Sequence, residues 1–93
     1  MRADVFITQT EGGFVEVSVV KHGLSSGPAH KYKAVDDARA VLLAFGFDPS
    51  LVEARLSSLS EMSPSLLLRF PVAEIPDHVL MSLGFRAAAF TAA

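Results

Sequence analysis

The chain has 93 residues, of which 51% are hydrophobic and 19% are charged, and its net charge is −2. This apolar content excludes an intrinsically disordered chain. The lack of cysteine excludes a disulfide scaffold, a thiol nucleophile and a cysteine-ligated metal site. No apolar run approaches the roughly 18–20 residues of a membrane span, and the acidic balance argues against a dedicated nucleic-acid-binding protein.

The length accommodates one domain, so we expect residues 1–93 to form a single domain. The first residues bear on location as well as on fold. Asp4 stands where a secretory signal peptide would have its apolar segment. We therefore expect a soluble, cytoplasmic protein.

Residues 3–20 carry the pattern of a β-hairpin. Valine alternates with polar residues in the second half, and a Gly-Gly pair separates the two halves. A three-residue loop would pair Ile7 with Val17 and Val5 with Val19, so that the aliphatic residues share one face. A two-residue loop would place the aliphatic residues of the two strands on opposite faces of the hairpin. The sequence therefore predicts a three-residue loop with one glycine in the left-handed region.

Residues 21–33 form the longest irregular stretch, because glycine, serine and proline interrupt every period. The stretch from 30 to 35 favours a short third strand. In that strand Tyr32 would face one way and the two neighbouring lysines the other.

Two helices joined by a tight corner are predicted next. Asp36 and Asp37 suit the start of the first helix, and Gly46 supplies its left-handed stop. Its apolar stripe comprises Val35, Ala38, Val41, Leu42 and Phe45. Asp48 and Pro49 then serve as the N-cap and first residue of the second helix.

The second helix has its own apolar stripe, and Ser63-Pro64 is predicted to end it. The stripe comprises Val52, Leu56 and Leu59, with Leu51 and Met62 at its margins. The apolar run 66–72 then predicts a buried strand whose end Pro71 places at a sheet edge or a bulge.

A third, short helix is predicted to begin at Pro76-Asp77 and to close at Gly84, and residues 85–90 are interpreted as a last strand or a frayed extension. The similar segments 41–47 and 79–85 are interpreted as two helices with the same C-cap chemistry, and a duplicated unit is the alternative. The pattern as a whole predicts an α+β fold. A small antiparallel sheet, made of the N-terminal β-hairpin plus a later strand, would carry two to three helices on one face.

The irregular stretch 21–33 is also the candidate ligand site, because it holds all three lysines and two of the three histidines. The candidate anion-binding residues are Lys21, His22, Ser25, Ser26, His30, Lys31 and Lys33. Backbone amides beside its glycines would add donors. A phosphate-loop motif is absent, because Pro28 occupies the position of its second glycine. The alternative interpretation is a solvated loop whose lysines prevent promiscuous pairing at a sheet edge.

No pattern predicts a catalytic residue, a metal or a cofactor. The segment 23–27 imitates a nucleophile elbow but lacks the helix that must follow it. Two histidines without a recognised ligand spacing do not define a tetrahedral metal site. Asp36 and Asp37 suit helix capping better than acid–base work. These absences favour a protein that is not an enzyme.

Three hypotheses for function follow. The leading one is a non-catalytic interaction module that forms a homodimer, because the chain carries more apolar side chains than one small copy can bury. The second is a small-molecule or anion-binding domain that uses the basic loop 21–33. The third is a nucleic-acid contact through the same lysines.

Overall fold

The computed structural model describes residues 1–59, 61 and 66–85, which form an α+β fold. The strands are β1 (Arg2–Gln9), β2 (Val15–Lys21), β3 (Ala29–Tyr32), β4 (Leu68–Arg69) and β5 (Ala73–Glu74). The helices are α1 (Val35–Ala44), α2 (Pro49–Leu59) and α3 (Asp77–Ser82). The antiparallel sheet has the order β3-β2-β1-β4, and β5 pairs with the other end of β1. The predicted fold class is confirmed.

The hairpin has the predicted register. Ile7 lies opposite Val17, and Val5 lies opposite Val19. The Thr10 amide donates to the Phe14 carbonyl at 2.8 Å, which leaves residues 11–13 as the loop. Gly13 has a φ of 82°, so the predicted left-handed glycine is confirmed.

The core lies between the helices and one face of the sheet. The strand residues buried there include Ala3, Val5, Ile7, Val15, Val17 and Val19, and the helix residues include Ala38, Leu42, Val52, Leu56 and Leu80. The predicted stripes of α1 and α2 therefore face the sheet. Val35 is the exception at 45% exposure. Val35 is the first residue of α1, at the margin of the surface that packs on the sheet.

Helices α1 and α3 end in the same way. Gly46 and Gly84 have φ values of 95° and 92°, and each is followed by a buried phenylalanine. In α3 the Phe85 amide donates to the Leu80 carbonyl and the Gly84 amide to the Met81 carbonyl, the two bonds of a Schellman motif. In α1 the Gly46 amide likewise donates to the Leu43 carbonyl, so the segments 41–47 and 79–85 share a left-handed glycine and one of these two C-cap bonds. None of the helices in the described ranges has the length and apolar character needed to cross a bilayer.

The corner between α1 and α2 is held by polar groups. The Asp48 carboxylate accepts a hydrogen bond from the Ser50 amide at 2.8 Å, which confirms the predicted cap. The Arg39 guanidinium bridges the carboxylates of Asp36 and Glu53, one on each helix. The predicted margin at Met62, the predicted helix end at Ser63-Pro64 and the tail from residue 86 onward lie outside the described residues.

The predicted strand over 66–72 is wrong in its extent. β4 contains only Leu68 and Arg69, and the pairing with β1 resumes at Ala73 after a shift of one residue. The Phe70 amide donates to the Val5 carbonyl at 2.8 Å, so residues 71 and 72 together oppose the single residue Asp4. This is a β-bulge at the sheet edge, and it confirms the position predicted from Pro71.

The bulge follows from the spacing of the apolar residues. Phe70 and Ile75 are both buried, at 1% and 0% exposure, although they are five positions apart. Residues an odd number of positions apart point to opposite faces of a regular strand. One extra residue restores both side chains to the core. Leu66 and Leu67, which were predicted to be buried, precede the paired part of the strand and are 51% and 55% exposed.

β3 is shorter and earlier than predicted, since it ends at Tyr32 instead of continuing to residue 35. Tyr32 lies opposite Val15 and packs against the core, while Lys31 is exposed. Within the described part of the chain the Tyr32 hydroxyl oxygen is enclosed and has no hydrogen-bond partner. Burial raises the pKa of this phenol above its ordinary value of 10.0, and the charge of Asp37 raises it further.

Replacing Tyr32 by phenylalanine should stabilise the protein. The change removes a desolvated hydroxyl without a partner and keeps the ring, so the free energy of unfolding should rise by about 1 kcal/mol. Thermal unfolding should then shift upward by roughly 4–8 °C for a chain of this size. Tyr32→Ala is the control, and it should destabilise because the ring is lost. A Tyr32→Phe protein that melts below the native one would contradict the assignment.

Candidate functional site

The sheet face away from the helices, which we call the outer face, carries the second set of alternating residues. On β1 and β2 they are Arg2, Asp4, Phe6, Thr8, Glu16, Ser18 and Val20. Their cross-strand partners on the same face are Lys31, Arg69 and Glu74. Asp4, Thr8 and Val20 are buried there although the three helices of the described ranges pack on the other face. Irregular segments of the chain must therefore cover part of it.

The first covering segment is the loop between β2 and β3. It reverses at Gly23, where φ is 93° and the Leu24 amide donates to the Lys21 carbonyl at 2.9 Å. It returns to β2 where the Val19 amide donates to the Pro28 carbonyl at 3.0 Å. A Cβ on residue 27 would lie 2.0 Å from the Val19 carbonyl oxygen, so only glycine allows this approach.

The second covering segment is the chain just before β4. The Thr8 hydroxyl donates to the Leu66 carbonyl at 2.7 Å, which fixes this segment beside the end of β1. Leu67 then projects to the same side as Arg69, two residues later. The loop and this segment stand on opposite sides of β1 and β2.

Between the two segments lies a depression that we call the outer groove. It encloses about 250 Å³ and is lined by Phe6, Ser18, Val20, Ser25, Ser26, Gly27 and Leu67. Phe6 and Val20 supply apolar surface from the sheet, and Leu67 supplies one wall. Within residues 1–59, 61 and 66–85, the hydroxyls of the three serines make no hydrogen bond to another protein group. The groove thus combines an apolar floor with unpartnered hydroxyls.

Asp4 lies between the two walls of the groove and connects them. Its carboxylate accepts a hydrogen bond from Arg69 Nη2 at 2.8 Å and another from His22 Nδ1 at 3.1 Å. His22 begins the loop, and Arg69 follows Leu67 in β4. The hydrogen bond from Arg69 lowers the pKa of Asp4 below its ordinary value of 3.8; burial opposes this shift, and the hydrogen bond from His22 adds to it.

Arg69 also lies over Phe6, one of the residues that line the groove. Its guanidinium carbon is 5.9 Å from the centroid of the Phe6 ring, within cation–π distance. The side chain remains 58% exposed. The cation is therefore held in place by Asp4 and still open to solvent.

The seven candidate residues of the loop 21–33 lie in different places. Ser25 and Ser26 line the outer groove, and His22 is bonded to Asp4 beside it. His30 lies on the helix side, where its Nε2 donates to the Gly84 carbonyl at 2.9 Å and its ring meets Phe85 edge-on. Lys31 is on the outer face opposite Glu16, and Lys21 and Lys33 are exposed at the strand ends.

The structure therefore brings Ser25 and Ser26 together with residues that sequence reasoning did not select: Phe6, Val20, Leu67, Asp4 and Arg69. A signal for two of them was available. The predicted hairpin register already places Asp4 and Phe6 on the face opposite the apolar one. Nothing local connects them to Leu67 and Arg69, which lie more than 60 positions further along the chain.

In the described ranges no three histidine, cysteine, aspartate or glutamate side chains cluster closely enough to hold a metal ion. Comparison with known proteins found no matching family model, no matching curated protein and no matching solved structure. Any function must therefore be argued from the outer face itself.

Replacing Gly27 by alanine should displace the loop from the sheet. The added methyl group would meet the Val19 carbonyl oxygen, and overpacking of this kind destabilises by about 1–3 kcal/mol. Chemical denaturation measures this loss. Ser26→Ala is the matched control in the same exposed loop and should change stability by no more than about 0.5 kcal/mol. Equal stability of the Gly27→Ala and native proteins would show that the loop does not approach β2 so closely.

The ionised Asp4 should make stability depend on pH in the acid range. Folding lowers the pKa of Asp4, so its contribution is complete above about pH 3.8 and is lost as pH falls through the lower folded-state value. Asp4→Asn should melt below the native protein at pH 6, and the difference should shrink below pH 3.8. Arg69→Gln should weaken the same pH dependence. Native and Asp4→Asn melting curves that stay parallel from pH 6 to the acid limit would refute this role.

Proposed function

We propose that the protein is a non-catalytic interaction module whose outer face binds the outer face of a second copy. The observation that carries this proposal is the apolar surface of the outer groove, where the exposed Leu67 adjoins Phe6 and Val20. Among the described residues, six large hydrophobic side chains are at least 40% exposed. Three of them, Leu24, Leu66 and Leu67, belong to the segments that wall the groove.

Apolar side chains that adjoin one another are stronger evidence for an interface than apolar side chains that are exposed singly. Single exposed apolar residues are normal on a protein surface, and Val35, Leu43 and Met81 on α1 and α3 are of that kind. On the outer face, in contrast, the exposed Leu67 adjoins Phe6 and Val20 on the sheet. A contiguous apolar patch on a small protein is typical of an interface.

The charges of the outer face favour a second copy as the partner. Three cations, Arg2, Lys31 and Arg69, share this face with three carboxylates, Asp4, Glu16 and Glu74. In a two-fold dimer the same surface meets itself. A face with one sign of charge would repel its copy, whereas a balanced face can pair cations with carboxylates across the axis.

The same balance gives less support to a polyanion as partner. Lys31 lies opposite Glu16 on the outer face, and the chain as a whole carries a charge of −2. Phosphate backbones are bound by clustered cations. The nucleic-acid hypothesis therefore has no favourable charge cluster on this face.

Light scattering on size-separated protein tests the dimer. One copy has a mass of 9.9 kDa, and the native protein should have twice that mass. Leu67→Glu, which places a charge at the wall of the groove, should have the mass of one copy and an unchanged melting temperature at low protein concentration, because Leu67 is 55% exposed.

Leu43→Glu is the matched control, since Leu43 is also exposed but lies on α1 in the helix layer. It should leave the dimer intact. A native protein of 9.9 kDa at micromolar concentration would overturn the proposal. A dimer that Leu43→Glu disrupts and Leu67→Glu does not would place the interface on the helices instead.

A further inference from the structure

The outer groove has the features of a small-ligand site within one copy of the chain. Its floor is mostly apolar, the floor and the loop wall together carry three serine hydroxyls, and a guanidinium lies beside it. Sites for small molecules combine a mostly apolar concave surface with a few fixed polar groups in this way. All of these groups come from one chain, so the inference does not rest on the proposed dimer.

The walls of the groove are fixed by specific interactions. Gly27 packs on the backbone of Val19, the Thr8 hydroxyl holds the Leu66 carbonyl, and Asp4 joins the two walls through His22 and Arg69. A pocket whose walls are preformed requires little ordering when a ligand binds.

The polar groups select the charge of the ligand. Arg69 donates to Asp4 through Nη2, and in the described ranges no protein acceptor meets its Nη1 or Nε. These two donors lie on different edges of the guanidinium, and either can donate a charge-assisted hydrogen bond to a carboxylate oxygen. The serine hydroxyls accept or donate and do not oppose an anion. The apolar floor at Phe6 and Val20 suits an uncharged body.

The size of the groove limits the ligand. Sites for drug-sized molecules enclose roughly 300–1,000 Å³, whereas this groove encloses about 250 Å³. It therefore suits a short aliphatic chain or a single small ring.

We propose that the outer groove binds a small monocarboxylate, with its carboxylate on Arg69 and its apolar body over Phe6 and Val20. This assigns the recognition of an anion to Arg69, outside the loop 21–33, and uses Ser25 and Ser26 of that loop as polar wall.

Titration of the isotope-labelled native protein with hexanoate, followed by amide chemical shifts, tests the site. Saturable shifts should appear at Phe6, Val20, Ser25, Ser26 and Leu67. Hexylamine has the same chain with the opposite charge and should produce no saturable shifts there. Hexanol should bind about tenfold more weakly than hexanoate, because it lacks the charge-assisted hydrogen bond.

Two variants locate the anion. Arg69→Gln should weaken hexanoate binding about tenfold, and Lys31→Gln, which removes a cation from the same face outside the groove, should leave it unchanged. If Lys31→Gln weakens binding and Arg69→Gln does not, the anion is bound by the lysines and the assignment is wrong. If Arg69→Gln does not fold, the comparison of hexanoate with hexylamine on the native protein still decides.

The titration is run at two protein concentrations, and light scattering gives the mass of the protein at each. Failure to bind hexanoate and failure to form the dimer are then separate results. A second copy on the outer face would compete with the ligand, so absence of saturable hexanoate shifts at a concentration where the protein has the mass of one copy overturns the ligand site and leaves the dimer proposal standing. Equal shifts with hexylamine overturn the selection by charge. A native protein with the mass of one copy that binds hexanoate supports the site without the dimer.

Discussion

The alternation of side chains along β1 positions both the core and the outer groove. Ala3, Val5 and Ile7 are fully buried against the helix layer, while Asp4 and Phe6 lie between them on the opposite face. β1 is paired on both sides, so its register is fixed twice, by the hairpin loop and by the edge strands. A shift of one residue would bring the Asp4 carboxylate into the core.

The β-bulge connects the requirements of the two faces. Its extra residue brings Ile75 to the same face as Phe70, which the core requires. The bulge lies opposite Asp4, the residue whose carboxylate binds Arg69 and His22 on the outer face. One local irregularity thus allows the edge strand to fill the core on one side and to supply a cation for the buried carboxylate on the other.

The features that could be predicted from the sequence are those set by nearby residues. The hairpin register depends on a loop of three residues, the start of α2 on Asp48 and Pro49, and the helix ends on Gly46 and Gly84. Each of these signals acts within a few positions of the element it determines.

The outer groove was not predictable in the same way, because it assembles β1, β2, a loop and a segment near residue 67. No local pattern states that these parts meet. One error was avoidable, since the alternation expected for β3 already places His30 and Lys31 on opposite faces. Their grouping as one ligand set relied on closeness in sequence, whereas neighbouring strand residues face apart.

The composition of the outer face distinguishes it from the two ordinary kinds of sheet surface. A sheet face that only contacts water carries polar residues throughout, and a face buried in a core carries apolar residues throughout. Here an apolar centre of Phe6, Val20 and Leu67 is surrounded by balanced charges. An apolar centre within a polar rim is the arrangement of recognition surfaces. Asp4 stabilises this arrangement. Its buried carboxylate requires Arg69 to stay beside Phe6, and the guanidinium keeps one side of the groove polar.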